Sequence, residues 1–395
     1  MGILSHLFGK TEARSATSDS YAEAFGISPT SSGAYVSPRL AENLATVSAC
    51  IGAISSTMAS LPAYVYRAHE DGREELHGHP VARLLRRPNT TQTWPDWMEW
   101  TMAQVLLHGN ALSAIEYDAR GQVTALLPIP WSSVQVSLLP SGRLVYDVTR
   151  VVAPWGGGGR PRRYLADEVF HLRDRSDDGL LGRSRISRAP EVLGNATALQ
   201  EWSGTMWQNQ ATPSGILQAP GNVTEEQLAR IRAVTDRNWS GVRNARKTLI
   251  LTGGLEWKSV SVSPEDAEVL ASRRFTVEEL CRLFQVPPPI VQDYTHNTFT
   301  NSQQAALWFA QFSLTPWARK IEAEFARSVF GTSSADCTLE VDLSGLMRGD
   351  YEARWKAHEI AVKNQILDPN EVREVEGWNP RPVAAPPPAP RPEVV

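Results

Sequence analysis

Asp174, Asp177 and Asp178 lie close enough in sequence to offer carboxylate oxygens to one divalent cation, as a nuclease-like site would. Arg173 and Arg175 interleave with them, so a solvated, ion-paired loop fits the pattern better. His77 and His79 are possible metal ligands, but beside Gly78 and Pro80 they fit a solvated turn better. Gly9-Lys10-Thr11 ends like a phosphate loop, yet the preceding glycine, Gly2, is too distant for the four-residue spacing such a loop needs. Gly156 to Gly159 are followed by Arg160-Pro161-Arg162-Arg163, without the Lys-Ser or Lys-Thr of a phosphate cradle, and read as a mobile loop tip. Neither a His-Glu-x-x-His helix nor a Gly-x-Ser-x-Gly elbow occurs. Cys50, Cys281 and Cys337 are widely separated and match no metal-ligand spacing or disulfide framework, which suits a reducing cytoplasm. No catalytic residue, metal or cofactor is expected.

What remains is a chain built for shape. Its 395 residues are enough for two to four structural units, and 42% apolar with 21% charged residues is the balance of a folded chain. The formal net charge of -4 supplies no bulk field toward phosphate or an anionic membrane. Met1 to Lys10 lacks the basic and long apolar regions of a secretory signal. The uncharged run from Ala45 to Tyr66 is studded with Ser and Thr and broken by Pro62, so it is expected as a helix outside any membrane. Thirteen tryptophans favour a core with interfaces, as in an assembly subunit.

The elements follow from spacing. Residues 1–34 read as a flexible arm rich in Ser, Thr, Ala and Gly. Leu44, Val47, Ile51, Ile54, Met58 and Leu61 recur in steps of three and four, which predicts a helix with one apolar stripe. Ala63 to His69 and Arg73 to His77 flank Asp71-Gly72, the pair a tight hairpin requires. Val134 to Leu139 and Leu144 to Val148 form a second hairpin, with a helix over Trp94 to Leu107 and a strand over Ala111 to Tyr117 between the two. Residues 35–189 are therefore expected as a mixed α and β domain within an α+β chain.

Pro190 opens a helix over 190–212 with Val192, Ala196, Leu199 and Met206 on one side. Residues 213–262 form a small insert: a strand at Gly215 to Gln218, a capping box at Thr224 to Gln227, and paired strands at Thr248 to Leu251 and Leu255 to Val262. Ser263-Pro264-Glu265-Asp266 starts a second long helix, over 263–286, by combining a capping hydroxyl, a first-turn proline and acids at the positive dipole end. Pro287-Pro288-Pro289 stops it, and residues 287–301 form a polar loop. Helix resumes at Ser302 carrying Leu307, Phe309 and Phe312, breaks at Thr315-Pro316, and continues through Trp317, Ile321, Phe325 and Val329, with residues 302–345 ending in a strand. Residues 346–380 hold a helix marked by Tyr351, Trp355 and Val362 and a last one capped by Asp368 and Glu371. Residues 381–395 read as a proline-rich disordered tail.

The wording and order of these segments resemble the portal proteins of long-tailed bacteriophages and of phage-derived gene-transfer agents. The resemblance rests on His79-Pro80-Val81-Ala82-Arg83-Leu84-Leu85, Leu107-His108-Gly109-Asn110-Ala111, Glu168-Val169-Phe170-His171-Leu172 and Gly179-Leu180-Leu181-Gly182-Arg183-Ser184. Its most specific stretch runs from Arg273-Arg274-Phe275 through Glu278 to Pro288, continued by Thr298-Phe299-Thr300-Asn301 and Leu314-Thr315-Pro316-Trp317. It closes on Asn370-Glu371-Val372-Arg373 with Gly377-Trp378-Asn379-Pro380. Gln285 departs from the glycine usual there, which leaves the helix-end geometry open.

The resemblance implies a ring of about twelve copies at one capsid vertex, in the virion or gene-transfer-agent particle and in host cytoplasm during assembly. Double-stranded DNA would pass non-specifically through its channel. It makes residues 35–189 a wing, the two long helices a stem, the insert a clip, 287–301 a tunnel loop and 346–380 a crown. Asp293, Tyr294, Thr295, His296, Asn297, Thr298, Phe299 and Thr300 would then face DNA. Glu265, Asp266, Arg273 and Arg274 would line the stem, Arg273 and Arg274 pairing with Glu278, Glu279 or a neighbouring subunit. Asn222, Glu225, Glu226, Arg243 and Lys247 would meet the terminase large subunit or a head-tail connector. The major capsid protein is a further implied partner. A metal-dependent nucleic-acid enzyme and another head-tail component are the competing readings.

Overall fold

The structure is a computed structural model, and it describes residues 28–33, 35–69, 72–149, 161–209, 216–218, 224–226, 229, 256–258, 265–294, 299–331, 334, 336–347, 351–376 and 378–381. The chain divides into two compact units, Met1–Asp342 and Leu343–Val395.

The apolar stripe produces the expected helix, Ala45–Ser60, with Val47, Cys50 and Ile54 fully buried. It packs on the helix Trp94–His108. That second helix starts where the Asp96 carboxylate accepts from the Thr93 amide (2.9 Å) and hydroxyl (2.6 Å), and ends at Gly109 in the left-handed region, φ 79°. Trp97 is fully buried among Trp94, Phe170 and Phe325, with ring centroids 5.2 to 6.2 Å from its own. Aromatic groups of this size dominate burial in such a core.

Three antiparallel three-stranded sheets surround the helices. In one, Asn110–Tyr117 is central between Val169–Arg173 and Val123–Ile129. In another, Ala63–His69 pairs with Gly72–Glu75 and with Cys337–Val341 on its other side, residues 70 and 71 of the expected turn lying outside the described residues. The third orders Val134–Leu138, Leu144–Val148 and Arg162–Leu165. Helices and antiparallel sheets are thus combined as an α+β fold. The Gly156 to Gly159 loop lies outside the described residues.

Three expectations change. Part of the expected arm, which was read as running to residue 34, is structured: Ser28–Pro29 pairs with Tyr35–Val36, and the Ser31 amide donates to Glu191 (3.1 Å), which ties this segment to the helix Pro190–Asn209. That helix buries Leu193 and Ala196, whereas Val192 and Leu199 are half-buried. The inward face is fixed by the close approach of Thr30 to Gly194. Pro316 does not break the helix. The backbone widens into a π-helical turn, Phe309–Leu314, before Thr315–Glu324, so the carbonyls that Pro316 would obstruct are re-registered and Thr315 Oγ1 donates to Ala310 O (2.9 Å). A second π turn, Phe325–Phe330, follows.

The second unit contains helices Ser344–Met347, Tyr351–Lys363 and Pro369–Val375. Asp368 and Glu371 form its capping box, Glu376 takes Arg354 and His358 at 3.0 Å each, and the Trp355 and Trp378 rings lie 5.7 Å apart. No helix among the described residues is long and apolar enough to cross a membrane.

Candidate functional site

The long helix Glu265–Phe284 carries the sequence-predicted stem residues. Glu265 and Asp266 fall in its first turn and Arg273 and Arg274 at mid-length; their side chains lie outside the described residues. Among the described side chains of this helix, Arg282 holds Glu278 at 2.6 Å one turn away.

The helix ends at a built joint. Gln285 adopts φ 58°, the left-handed conformation a glycine would take at no cost. Its amide donates to Arg282 O (3.1 Å) and the Val286 amide to Cys281 O (2.9 Å), closing the free carbonyls of the last turn. This resolves the geometry left open at Gln285. Arg185, mostly buried, donates to Phe284 O and to Gln285 Oε1 (3.5 Å) while pairing with Asp174 at 3.4 Å. Ser313, on the π turn, donates to Gln285 O. Leu280, Cys281, Phe284 and Val286 are buried, and the helix packs on Ala45–Ser60. There the buried Cys281 and Cys50 interact, which lowers the Cys281 thiol and raises that of Cys50, the latter also through burial.

Beyond the joint, Pro288–Val291 makes a 3-10 turn and Gln292 again takes positive φ, 66°. The Asp293 amide donates to Pro288 O (3.0 Å) and Tyr294 is exposed. Thr295, His296, Asn297 and Thr298 lie outside the described residues. Phe299 and Thr300, expected in the loop, open the next helix, Phe299–Trp308, which therefore starts before the expected Ser302. In the insert, Ile216–Gln218 pairs with Glu256–Lys258, joining the two ends of the segment. Glu225 and Glu226 are helical and exposed, and Asn222, Arg243, Lys247 and the expected strand Thr248 to Leu251 lie outside the described residues.

The carboxylates of the Asp174 to Asp178 loop do not converge on a cation site. Asp177 is held by Arg188 (2.9 Å) and Arg183 (3.2 Å), and these bonds lower its carboxyl. Asp178 accepts from the Leu181 and Leu180 amides and the Ser176 hydroxyl, which hold it down at about 2. Among the described residues no group of three or more His, Cys, Asp or Glu is placed to hold a metal. His79 accepts from the Val81 amide (3.2 Å) as a helix cap and packs on Phe330.

A buried polar network went unread. Asn110 Oδ1 accepts from the Gly182 amide (2.8 Å) and contacts His171 Nε2 (3.0 Å), while its Nδ2 donates to Gly182 O (2.7 Å). His171 Nδ1 meets the Tyr146 hydroxyl (2.9 Å), and the His171 amide donates to Glu324 Oε1 (2.9 Å), itself paired with Arg327 at 2.5 Å. Burial, with Arg173 and Arg327 nearby, pushes His171 down to about 3, so the ring is neutral. The glycines admit this arrangement: a Cβ on Gly182 would stand 2.0 Å from Gly109 O, and one on Gly109 2.5 Å from Ser184 N. The paired Gly109-Asn110 and Gly182 segments were the available signal.

A family model described as Phage portal protein matches residues 45–377. The "Probable portal protein" of Streptomyces phage phiC31 is 30% identical over 89% of this chain and 78% of its own length. The portal protein of Enterobacteria phage HK97 is 29% identical over 86% of this chain and 80% of its own. A solved chain from the neck of a native gene transfer agent particle, computed with C12 symmetry, superposes with a TM-score of 0.58 at 23% identity, covering 93% of this chain and 100% of that one.

Proposed function

The chain belongs to the phage portal protein family, and from that membership we propose that about twelve copies close into a ring at a unique capsid vertex, around a channel through which double-stranded DNA enters and leaves. The observation that carries this reading is the extent of the match, which runs from the first wing helix to the last helix of the second unit. The number twelve comes from the likeness to the C12 neck.

In this reading residues 35–189 with 302–345 are the wing, 190–212 and 263–286 the stem, 213–262 the clip, 287–301 the tunnel loop and 346–380 the crown, with an arm at 1–34 and a tail at 381–395. A channel that passes DNA must avoid trapping phosphates, because each neutralised phosphate adds salt-dependent affinity. A net charge of -4 and a loop from Asp293 to Thr300 without Lys or Arg meet that requirement. The clip, through Asn222, Glu225, Glu226, Arg243 and Lys247, would meet the terminase large subunit during packaging and a head-tail connector afterwards. The wing would meet the major capsid protein. The chain acts by shape, without turnover.

Native mass spectrometry and electron microscopy test it: a closed ring near the twelve-subunit mass with a central hole is expected. A poreless monomer under assembly-permitting conditions, including inside the native head, overturns it.

A further inference from the structure

Two rows of side chains line one groove beside the helix-end joint, Glu278, Cys281 and Arg282 on one helix and Gln304, Ala305 and Trp308 on the next. On the long helix, Phe275, Glu278 and Arg282 share a face by their spacing, and Phe275 is 57% exposed. On the helix that follows the tunnel segment, Gln304, Trp308 and Phe312 lie at successive four-residue steps, with Trp308 43% and Phe312 51% exposed and their rings 5.3 Å apart. Between the rows, floored by Pro287 and Pro288, is a groove of about 630 Å³.

The inward face of this same helical run is packed tightly, Phe309, Ala310, Leu314 and Trp317 being buried. The exposed aromatics therefore sit on a rigid element. A large aromatic side chain offers roughly 200 Å². At the exposures of Phe275, Trp308 and Phe312, roughly 300 Å² of these side chains is open to water. That is in the range of the largest apolar patch on a typical monomer, roughly 300–600 Å², which is often functional. It is more than a third of the roughly 800 Å² that a stable interface takes from each partner.

We infer that this face is part of the seam between adjacent copies of the chain, the neighbouring subunit filling the groove between Arg282 and Trp308. The inference rests on the ring proposed above and names where that ring is closed. The chemistry favours a second copy over DNA: the groove's charges, Glu278 and Arg282, already neutralise each other at 2.6 Å, leaving aromatic area and no phosphate cradle. Aromatics and arginine with few free charges are the composition of an interface core. A closed ring needs a heterologous contact on every subunit, so the seam is repeated at each junction.

The test is W308R/F312R in the full chain, with the concentration for half-assembly read by native mass spectrometry. Hydrogen exchange of residues 304–312 is compared between wild-type rings and dissociated wild-type subunits. Both substituted side chains are exposed, and the exchange measurement needs no variant to fold. At least a tenfold rise in half-assembly concentration, with strong protection of 304–312 in the ring, is expected. Wild-type rings that leave 304–312 unprotected, protection that appears only when a connector or DNA is added, or W308R/F312R assembling at the wild-type concentration overturns the seam while leaving the ring intact. A wild-type chain that never closes removes the ring itself, and the seam with it.

Discussion

Gly182→Ala is the most demanding single substitution the structure offers. The added Cβ would stand 2.0 Å from Gly109 O and 2.8 Å from Asp174 N, both backbone atoms that no rotamer can move. A carbon needs about 3.3 Å from a carbonyl oxygen, so the two segments must part by more than an ångström. That separation breaks the paired bonds between Asn110 and the Gly182 backbone, at 2.7 and 2.8 Å, and the 2.8 Å bond from the Asp174 amide to Gly109 O. Three buried bonds at about 1 kcal/mol each, with about 1 kcal/mol or more for overpacking, give a loss of about 4 kcal/mol. Gly179→Ala is the control: it has φ 77° but nothing within 4 Å of its Cβ, and the left-handed backbone alone costs about 1 kcal/mol. Urea unfolding of the purified subunit, followed by tryptophan fluorescence, should place the Gly182→Ala midpoint far below that of Gly179→Ala. Coincident midpoints would refute the close approach as the reason for glycine at 182.

The remaining predictions concern the joint and the network. Gln285→Gly should stabilise the chain by about 0.5–1 kcal/mol, since relief of the left-handed backbone outweighs the added unfolded-state freedom; thermal denaturation measures it. Arg185→Lys should cost about 2 kcal/mol or more in the same assay, because one ammonium cannot serve the Asp174 carboxylate and the Phe284 carbonyl together. His171 is near pKa 3 when folded against about 6.5 unfolded, so the unfolded chain binds the extra proton. Its contribution is complete above about pH 6.5 and declines as pH falls toward 3, by about 2 kcal/mol at pH 5. His171→Phe should flatten the pH dependence of the urea midpoint across that window, and an unchanged slope would contradict the neutral, buried ring.

Local patterns carried much of the fold. The stripe from Leu44 to Leu61 and the hairpin signal at Asp71-Gly72 each encode structure within a few residues: the helix formed at its expected place, and Ala63–His69 pairs with a strand that begins at Gly72, one residue before the expected Arg73. The strands Val123–Ile129 and Val169–Arg173 had no such signature. Val169 to Leu172 are all buried, so the alternation that marks a one-sided strand is missing. Pro316 misled for a related reason: its effect depends on whether neighbouring turns can re-register, and the π turn from Phe309 to Leu314 is a tertiary accommodation. The network was harder still, because His171 meets Asn110 across 61 residues and Glu324 across 153, and periodicity carries no information at those separations.

The end of the helix Glu265–Phe284, the proposed stem, shows why the proposed tunnel segment is the least legible part. A chain that works by shape needs its moving or contacting loops carried on a fixed frame. Here the frame is assembled from single atoms contributed by distant segments: Arg185 on Phe284 O, Ser313 on Gln285 O, and Cys50 beside Cys281. Each closes a carbonyl or fills a space left by a helix ending under an unfavourable φ. The left-handed turn at Gln285 persists because three elements hold it, as expected where surrounding structure over-determines a strained residue. In the proposed ring, force along this helix would pass into the packed unit through Arg185 and Ser313. Loosening that joint should alter the geometry of Asp293 to Thr300 in every subunit at once, so a stem-end variant such as Arg185→Lys should disturb passage through the channel even though it touches no residue of the loop.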